Sequence, residues 1–447
     1  MCKKQFAEFE IFKISTSFLT FTKSKTTTSQ MDKYDIVIVG AGAAGLLAAG
    51  RAADIGMKVL VVEKMRQVGR KLLITGKGRC NITNDAEIKD FLENVYPDGR
   101  FLYPAFKRFF SKDLIELLNS LGVETVLERG GRYFPASNQA SDIVDALLKR
   151  AKSLGVDFIF ESRVKDLIII DNKISGIVFH DNLTAHQINC NNVIICTGGK
   201  SYPATGSDGD GYKLAKSVGH TIIDVRPALV PLNTAGDLAQ EMQGLSLKNV
   251  TASVMVNGKK LKSDFGEMLF THFGLSGPII LSLSRLAVDE LDKKNLVEFV
   301  VDLKPALDDE KLDIRLLRDL NENGKMKIEN IFKLWLPSKM IPIFLKSLNL
   351  DPEKLGHQIN GKERLEIKKL MKNLKFKITG HRSFKEAIIT AGGVNTKEID
   401  QKTMQSKIVS GLFFAGEVID IDANTGGYNL QIAFSTAWLA AESCTKA

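Results

Sequence analysis

The chain has 447 residues, 44% of them hydrophobic and 25% charged, which allows two or three domains around a sizeable core. No apolar run reaches the roughly 18 residues needed to cross a bilayer, so no membrane partner is expected. Five scattered cysteines (Cys2, Cys80, Cys190, Cys196 and Cys444) without a C-x-x-C pair exclude a disulfide framework, a structural zinc site and a dithiol redox centre. No metal is expected, and a reducing, cytoplasmic setting fits best.

The net charge of +9 is concentrated. Residues 311–386 hold 18 Lys/Arg against 9 Asp/Glu, a surplus equal to that of the whole chain. The ordinary meaning is a solvated helical face; the sharper one is a footprint for an anionic partner such as a nucleic acid.

Residues 1–30 read as a disordered tail. They lack the apolar core and small-residue cleavage site of a secretory leader, and Glu8, Glu10 and the absence of Arg argue against a transit peptide. Met31 just ahead of the first strand is a second plausible start. Tyr34–Gly45 (YDIVIVGAGAAG) then carries a buried β-branched strand into Gly40-x-Gly42-x-x-Gly45 and an Ala-rich helix. Gly40 permits the tight turn, Gly42 lets backbone approach a pyrophosphate, and Gly45 lets helix and strand pack closely. The helix N-terminus offers free N–H groups and partial positive charge to phosphates. A second strand, Lys58–Val62, ends at Glu63, placed to accept hydrogen bonds from a ribose hydroxyl.

The loop from Lys64 to Asn84 is rich in Gly, Arg and Lys, and is expected to contact the cofactor. Arg70, Lys71 and Arg79 are candidates to neutralise a pyrophosphate, and Cys80 and Asn81 to reach a cofactor ring; Cys80 is also a candidate reactive thiol. Residues 104–121 predict one amphipathic helix. A further helix follows with Ser141 as its N-cap. VDFIFESRV predicts a third parallel strand, and residues 165–196 a small meander turning at Asp171-Asn172 and Asp181-Asn182. The next buried strand ends in Thr197, Gly198 and Gly199. A loop with Gly206, Gly209 and Gly211 then runs into a helix and is suited either to lie on a ring or phosphate or to serve as a linker.

From Arg226 the pattern changes to short strands, with a hairpin at Asn257-Gly258. Residues 308–375 are mostly helical and basic. Strands return in LKFKITGH and EAIITAGGV. The chain closes with a strand, a Gly-rich loop and an Ala-rich helix after Gly427. Three glycine signatures thus fall at strand ends (Gly40–Gly45, Thr197–Gly199 and Gly411–Gly427), which predicts one extended ligand across them. The last helix would present its N-terminal dipole to a reduced ring.

The chain resembles the HI0933-like (YhiN-like) bacterial flavoproteins, also described as the aminoacetone oxidase or BaiN-like group. The resemblance rests on GAGAAG, GRKLLITGKGRCNITN, GRYFPASNQASDIVDAL, CTGGKSYPATGSDGDGY, GEMLFTHFGLSGP and AGEVIDIDANTGGYNLQIAFSTA. Cys196 and Lys77 depart from the usual Ala and Gly of those motifs. The resemblance implies an α/β fold: a Rossmann-like FAD domain (31–203 and 386–447) interrupted by an insert (204–385) with a β-barrel-like part and a small helical part, 308–375. It implies that Gly40, Gly42, Ala43 and Ala44 hold the pyrophosphate, and that Glu63 and Lys64 meet the ribose. Arg70, Lys71, Arg79, Cys80 and Asn81 would lie along phosphates and flavin, and Val164 would touch adenine. Gly416, Glu417 and Asp420 would contact ribitol and pyrophosphate, with Asn429, Leu430 and Gln431 at the flavin edge.

There is no second G-x-G-x-x-G, so NAD(P)H is expected as a transient electron donor. The first functional reading is an FAD-dependent oxidoreductase that reduces an activated C=C bond or oxidises a small substrate, with His272 and Tyr202 as candidate proton donors. As the second reading, the resemblance also admits a ribosomal RNA dihydrouridine synthase, for which the basic insert would position RNA. An amine oxidase, a fumarate-reductase-like enzyme and a flavin module acting through a partner are the remaining alternatives. The oligomeric state is not set by the sequence.

Overall fold

The computed structural model describes residues 33–181 and 184–444. The expected tail and Asn182 of the second meander turn lie outside these residues. Among them, a seven-stranded sheet carries the first half of the chain. Tyr34–Val39 sits in its middle, parallel to Val59–Val62 on one side and to Ala185–Ile195 on the other. Asp157–Ile159 adds a parallel edge strand, and Leu412–Phe414 joins parallel beside Ala185–Ile195. Val39 is level with Ile195, and Ile195 with Phe414, so three strands release their chains at one height. The central strands are continuous Val/Ile runs because helices cover both faces; Ile36, Val37 and Ile38 are fully buried.

Ala185–Ile195 does two jobs. Its second half belongs to the parallel sheet, and its first half pairs antiparallel with Lys173–His180, which pairs with Arg163–Ile170. The meander turn at Asp171-Asn172 has positive φ at both residues, as a two-residue hairpin requires. VDFIFESRV is therefore not one strand. It breaks at Glu161 (φ 53°), where the amides of Glu161 and Ser162 bond to Met65 and Glu63 carbonyls instead of continuing the ladder.

Residues 104–121 also divide, into helices Tyr103–Arg108 and Ser111–Ser120. Phe109 is extended between them and stacks on Trp438 at 4.2 Å. Asp113 then caps the Phe110 amide. The helix expected to be capped by Ser141 begins two residues earlier, at Ala140 with Gln139 at the N-cap, and Ser141 bonds to Asp142 rather than capping.

The insert contains a closed six-stranded barrel: Leu232–Thr234, Gly274–Ser276, Lys259–Thr271, Ser246–Val256, Val297–Asp302 and Leu374–His381, with the last pairing back to the first. The Asn257-Gly258 hairpin forms with positive φ at both turn residues. Helix Pro278–Asp292 packs on the barrel, and helices Asp309–Glu322, Ile328–Phe332, Ile341–Leu348 and Gly361–Lys372 form the basic segment. Two large apolar cores result. One is built from Ile36 to Ala215 and from Val394 to Cys444. The other runs from Val230 to Ala387 and joins barrel and helices. Among the described residues, no helix is long and apolar enough to cross a membrane.

Candidate cofactor and active site

The three level strand ends open into one cleft of about 1160 Å³, counting its mouth. Of the residues picked from the sequence, Gly40, Gly42, Ala43, Ala44, Glu63, Lys64, Arg70, Lys71, Val164, Thr197, Gly198, Gly416, Glu417, Asn429 and Leu430 line it.

The glycines act as their spacing requires. Gly40 takes φ 99°, and a Cβ on Gly45 would sit 1.9 Å from the Gly40 carbonyl oxygen, so only glycine lets helix Ala43–Asp54 approach the strand. A Cβ on Gly42 would meet nothing within 4 Å: the space beside it is open. That helix has no side-chain cap and no acid in its first turn, which leaves its N–H groups available to an anion. Helix Tyr428–Ser443 likewise starts at Gly427 without a side-chain cap or an acid.

Glu63 is buried. Its two carboxylate oxygens accept from the Ala41 amide at 2.7 Å and the Met65 amide at 2.8 Å. Burial raises its pKa, against the lowering effect of those amides and Lys64. Each oxygen keeps a lone pair for a hydroxyl donor. An open cradle at Gly42, an uncapped helix end and a fixed acid match an adenosine diphosphate moiety, so the residues present fit FAD.

The basic residues divide by their partners. Lys64 is held by Asp208 at 2.5 Å and Asp210 at 2.9 Å, and Arg163 bonds to the same two carboxylates. Lys71 donates to Glu417 at 2.6 Å and to Ser201 at 2.7 Å. Ser201 in turn donates to Glu417, as does the Thr390 amide. This fixes the cleft wall. Arg70 has no acidic partner among the described residues, so its guanidinium is available to a phosphate.

Other picks lie behind or away from the cleft. Arg79 pairs with Glu128, bonds to Asn138 at 2.7 Å and stacks over Phe134 at 4.1 Å. Asn81 donates to the Thr83 carbonyl and accepts from the Gly427 amide at 2.9 Å, steadying the start of the last helix. Cys80 is fully buried, and burial pushes its thiol up to about 12, so it holds no thiolate near neutrality. Gly199 packs against Thr390 and Glu417, one layer behind. Asp420 is buried near Arg226 and Arg285. Gln431 is buried and bonds to Ser435. Asn429, which does line the cleft, uses its side chain to clamp the backbone of Ala423. Of the proton-donor candidates, neither Tyr202 nor His272 lines the cleft; His272 is exposed on a barrel turn beside Phe273. Asp210, Gln67, Thr205, Ile388 and Ile389 also line the cleft, and Asp208 stands behind it on Lys64 and Arg163; none of these is marked out by a motif of its own. The glycines around Asp208 and Asp210 were the available signal.

The model of the "HI0933-like protein Rossmann domain" matches residues 34–443. The chain is 31% identical to the ribosomal RNA dihydrouridine synthase of Escherichia coli K12, over 92% of this chain and 98% of that protein. It is 30% identical to the enzyme of the same name from Haemophilus influenzae, over 92% and 98%. It is 29% identical to the 3-dehydro-bile acid delta(4,6)-reductase of Clostridium scindens, over 92% and 99%. By this match over residues 34–443 and these relatives, the chain belongs to the HI0933-like family of flavin-dependent oxidoreductases.

Proposed function

We propose that this protein reduces a conjugated C=C bond, with FAD held in the cleft that residues 39–214 and 388–433 line and the substrate met by the barrel and helices of the insert, so that the expected boundary at 204 moves beyond the loop and helix that follow it. Bound FAD would supply the chemistry by accepting hydride from NAD(P)H and passing it to the substrate. The chain's residues supply the rest: Glu63 the ribose contact, Arg70 and the two helix ends the anion binding, and the Lys71–Glu417–Ser201 network a fixed wall.

The favoured substrate is uridine in ribosomal RNA. Saturating its 5,6-bond adds one hydride and one proton, the same change in kind that the name of the bile acid relative describes. The observation that carries the RNA reading is the basic surplus of the insert. Its acids are partly spent on pairs such as Lys354–Glu363 and Arg364–Asp313. Lys375 and Lys377 remain exposed on barrel strand Leu374–His381, whose alternate residues Leu374, Phe376 and Ile378 fill the core. Such cations neutralise phosphates without reading sequence. A cytoplasmic location goes with this reading.

The test is anaerobic. Enzyme reduced by NADH or NADPH is mixed with a ribosomal RNA fragment or with a steroid enone, and flavin absorbance is followed. Reoxidation by RNA supports the proposal. Reoxidation by the enone alone would move the substrate to the small-molecule class, and no reduction by either nicotinamide would remove the donor.

A further inference from the structure

Two segments run from the cleft to the barrel side by side. In one, Thr205, Gly206 and Ser207 line the cleft; in the other, Ile388 and Ile389 do. They are tied together: the Tyr202 amide donates to the Phe384 carbonyl at 2.9 Å, and the Lys200 and Ser201 amides donate to Thr390 Oγ1. Lys200 and Ser201 thus connect the cleft's Lys71–Glu417 network to what lies outside it.

Outside it lie aromatic rings that no core claims. Phe273, Phe384 and Tyr202 are half-buried and belong to none of the apolar clusters. Cations sit on two of them. Lys200 Nζ is 5.1 Å from the Phe384 ring centre, and the Arg382 guanidinium is 4.6 Å from that of Phe273. His272 meets the edge of Phe273 at 4.9 Å. Arg382 shares its charge with Glu386, whereas Lys200 and Lys385 are exposed without an acidic partner among the described residues. A partly accessible ring with a cation beside it suits a flat ligand joined to phosphate, the ring for stacking and the cation for the phosphate.

We propose that Lys200, Phe273, Arg382 and Phe384 form a substrate-positioning rim that stacks unpaired bases of an RNA strand and holds the adjoining phosphates, so that a uracil is presented to the cleft. This rests on the RNA reading above. A duplex base cannot reach a recessed cofactor, so a surface that rewards unstacking belongs at the entrance.

The experiment uses the FAD-loaded full chain and a fluorescein-labelled, uridine-containing single-stranded RNA, with anisotropy titrations at several salt concentrations. Stacking losses predict that Phe384→Ala and Phe273→Ala each weaken binding about fivefold to 100-fold with an unchanged salt slope. Phe384→Trp should restore it. Lys200→Ala should lower the slope by about 0.7. Melting temperature and flavin spectrum check folding. If the wild type binds RNA with a steep salt dependence and both Phe→Ala variants bind equally well, the rim proposal is overturned and the RNA reading stands. If the wild type does not bind RNA, or binds with no salt dependence, both fall.

Discussion

Replacing Gly42 by Asp separates cofactor binding from folding. Gly42 has φ −80°, a conformation open to any residue, and a Cβ there meets no atom within 4 Å. The fold should therefore accept the side chain. The cleft should not, because the carboxylate would occupy the space in which a pyrophosphate lies against the helix end. At an effective dielectric constant of 20, two like charges about 5 Å apart repel by about 3 kcal/mol. A pyrophosphate carries two charges, so the penalty approaches about 6 kcal/mol, or roughly four decades of affinity. Gly42→Ala removes the charge and keeps part of the bulk, so its loss should be far smaller. Gly45→Ala is the contrasting control: its Cβ would lie 1.9 Å from the Gly40 oxygen, which forces helix and strand apart and should cost about 1–3 kcal/mol or more of stability. The assay is flavin absorbance after exhaustive dialysis, with calorimetric titration of FAD into apoprotein and thermal melts of each apoprotein. A Gly42→Asp protein that keeps stoichiometric flavin with near-native affinity would refute the placement of the pyrophosphate.

Further outcomes follow from named contacts. Arg70→Ala removes the cleft guanidinium that lacks an acidic partner, and should weaken FAD by about 1.5–3 kcal/mol in the same titration. Glu63→Gln offers one carbonyl oxygen where two carboxylate oxygens now serve Ala41 and Met65; one buried amide loses its acceptor, and stability should fall by about 1–3 kcal/mol in urea melts. Asp422, buried against Arg285 at 2.7 Å, has its pKa raised to about 6 by burial. The folded state then holds this proton at a higher pH than the unfolded chain, so the group favours folding below its unfolded value near 3.8 and that advantage is lost as pH rises through about 6. Carbon-13 NMR of the Asp422 carboxyl should show a midpoint near 6; one near 4 would contradict the burial argument. Cys80, Cys190, Cys196 and Cys444 are all buried, so alkylation of the native protein should leave these four thiols unmodified by mass spectrometry.

The sequence was most legible where structure is local. Gly40–Gly45, Glu63, the Asn257-Gly258 hairpin and the closing helix all follow from turn chemistry and periodicity within short windows. It was least legible where a side chain's partner lies far along the chain. Arg79 reads as a phosphate-binding residue and Lys64 as a ribose contact. Arg79 turns to Glu128 and Phe134 instead, and Lys64 is claimed by Asp208 and Asp210, 144 and 146 residues away. Barrel closure is similarly remote, since Leu232–Thr234 pairs with Leu374–His381 only after the whole insert has been threaded. The break at Glu161 had a backbone cause, amides drawn to Glu63 and Met65, that no periodicity reveals.

The most direct test of the central claim is mass spectrometry of nucleosides from ribosomal RNA of cells with and without this gene. The account predicts a dihydrouridine at a defined position that disappears without the gene, returns with the wild-type protein and does not return with Gly42→Asp. Identical dihydrouridine in both RNAs would contradict it.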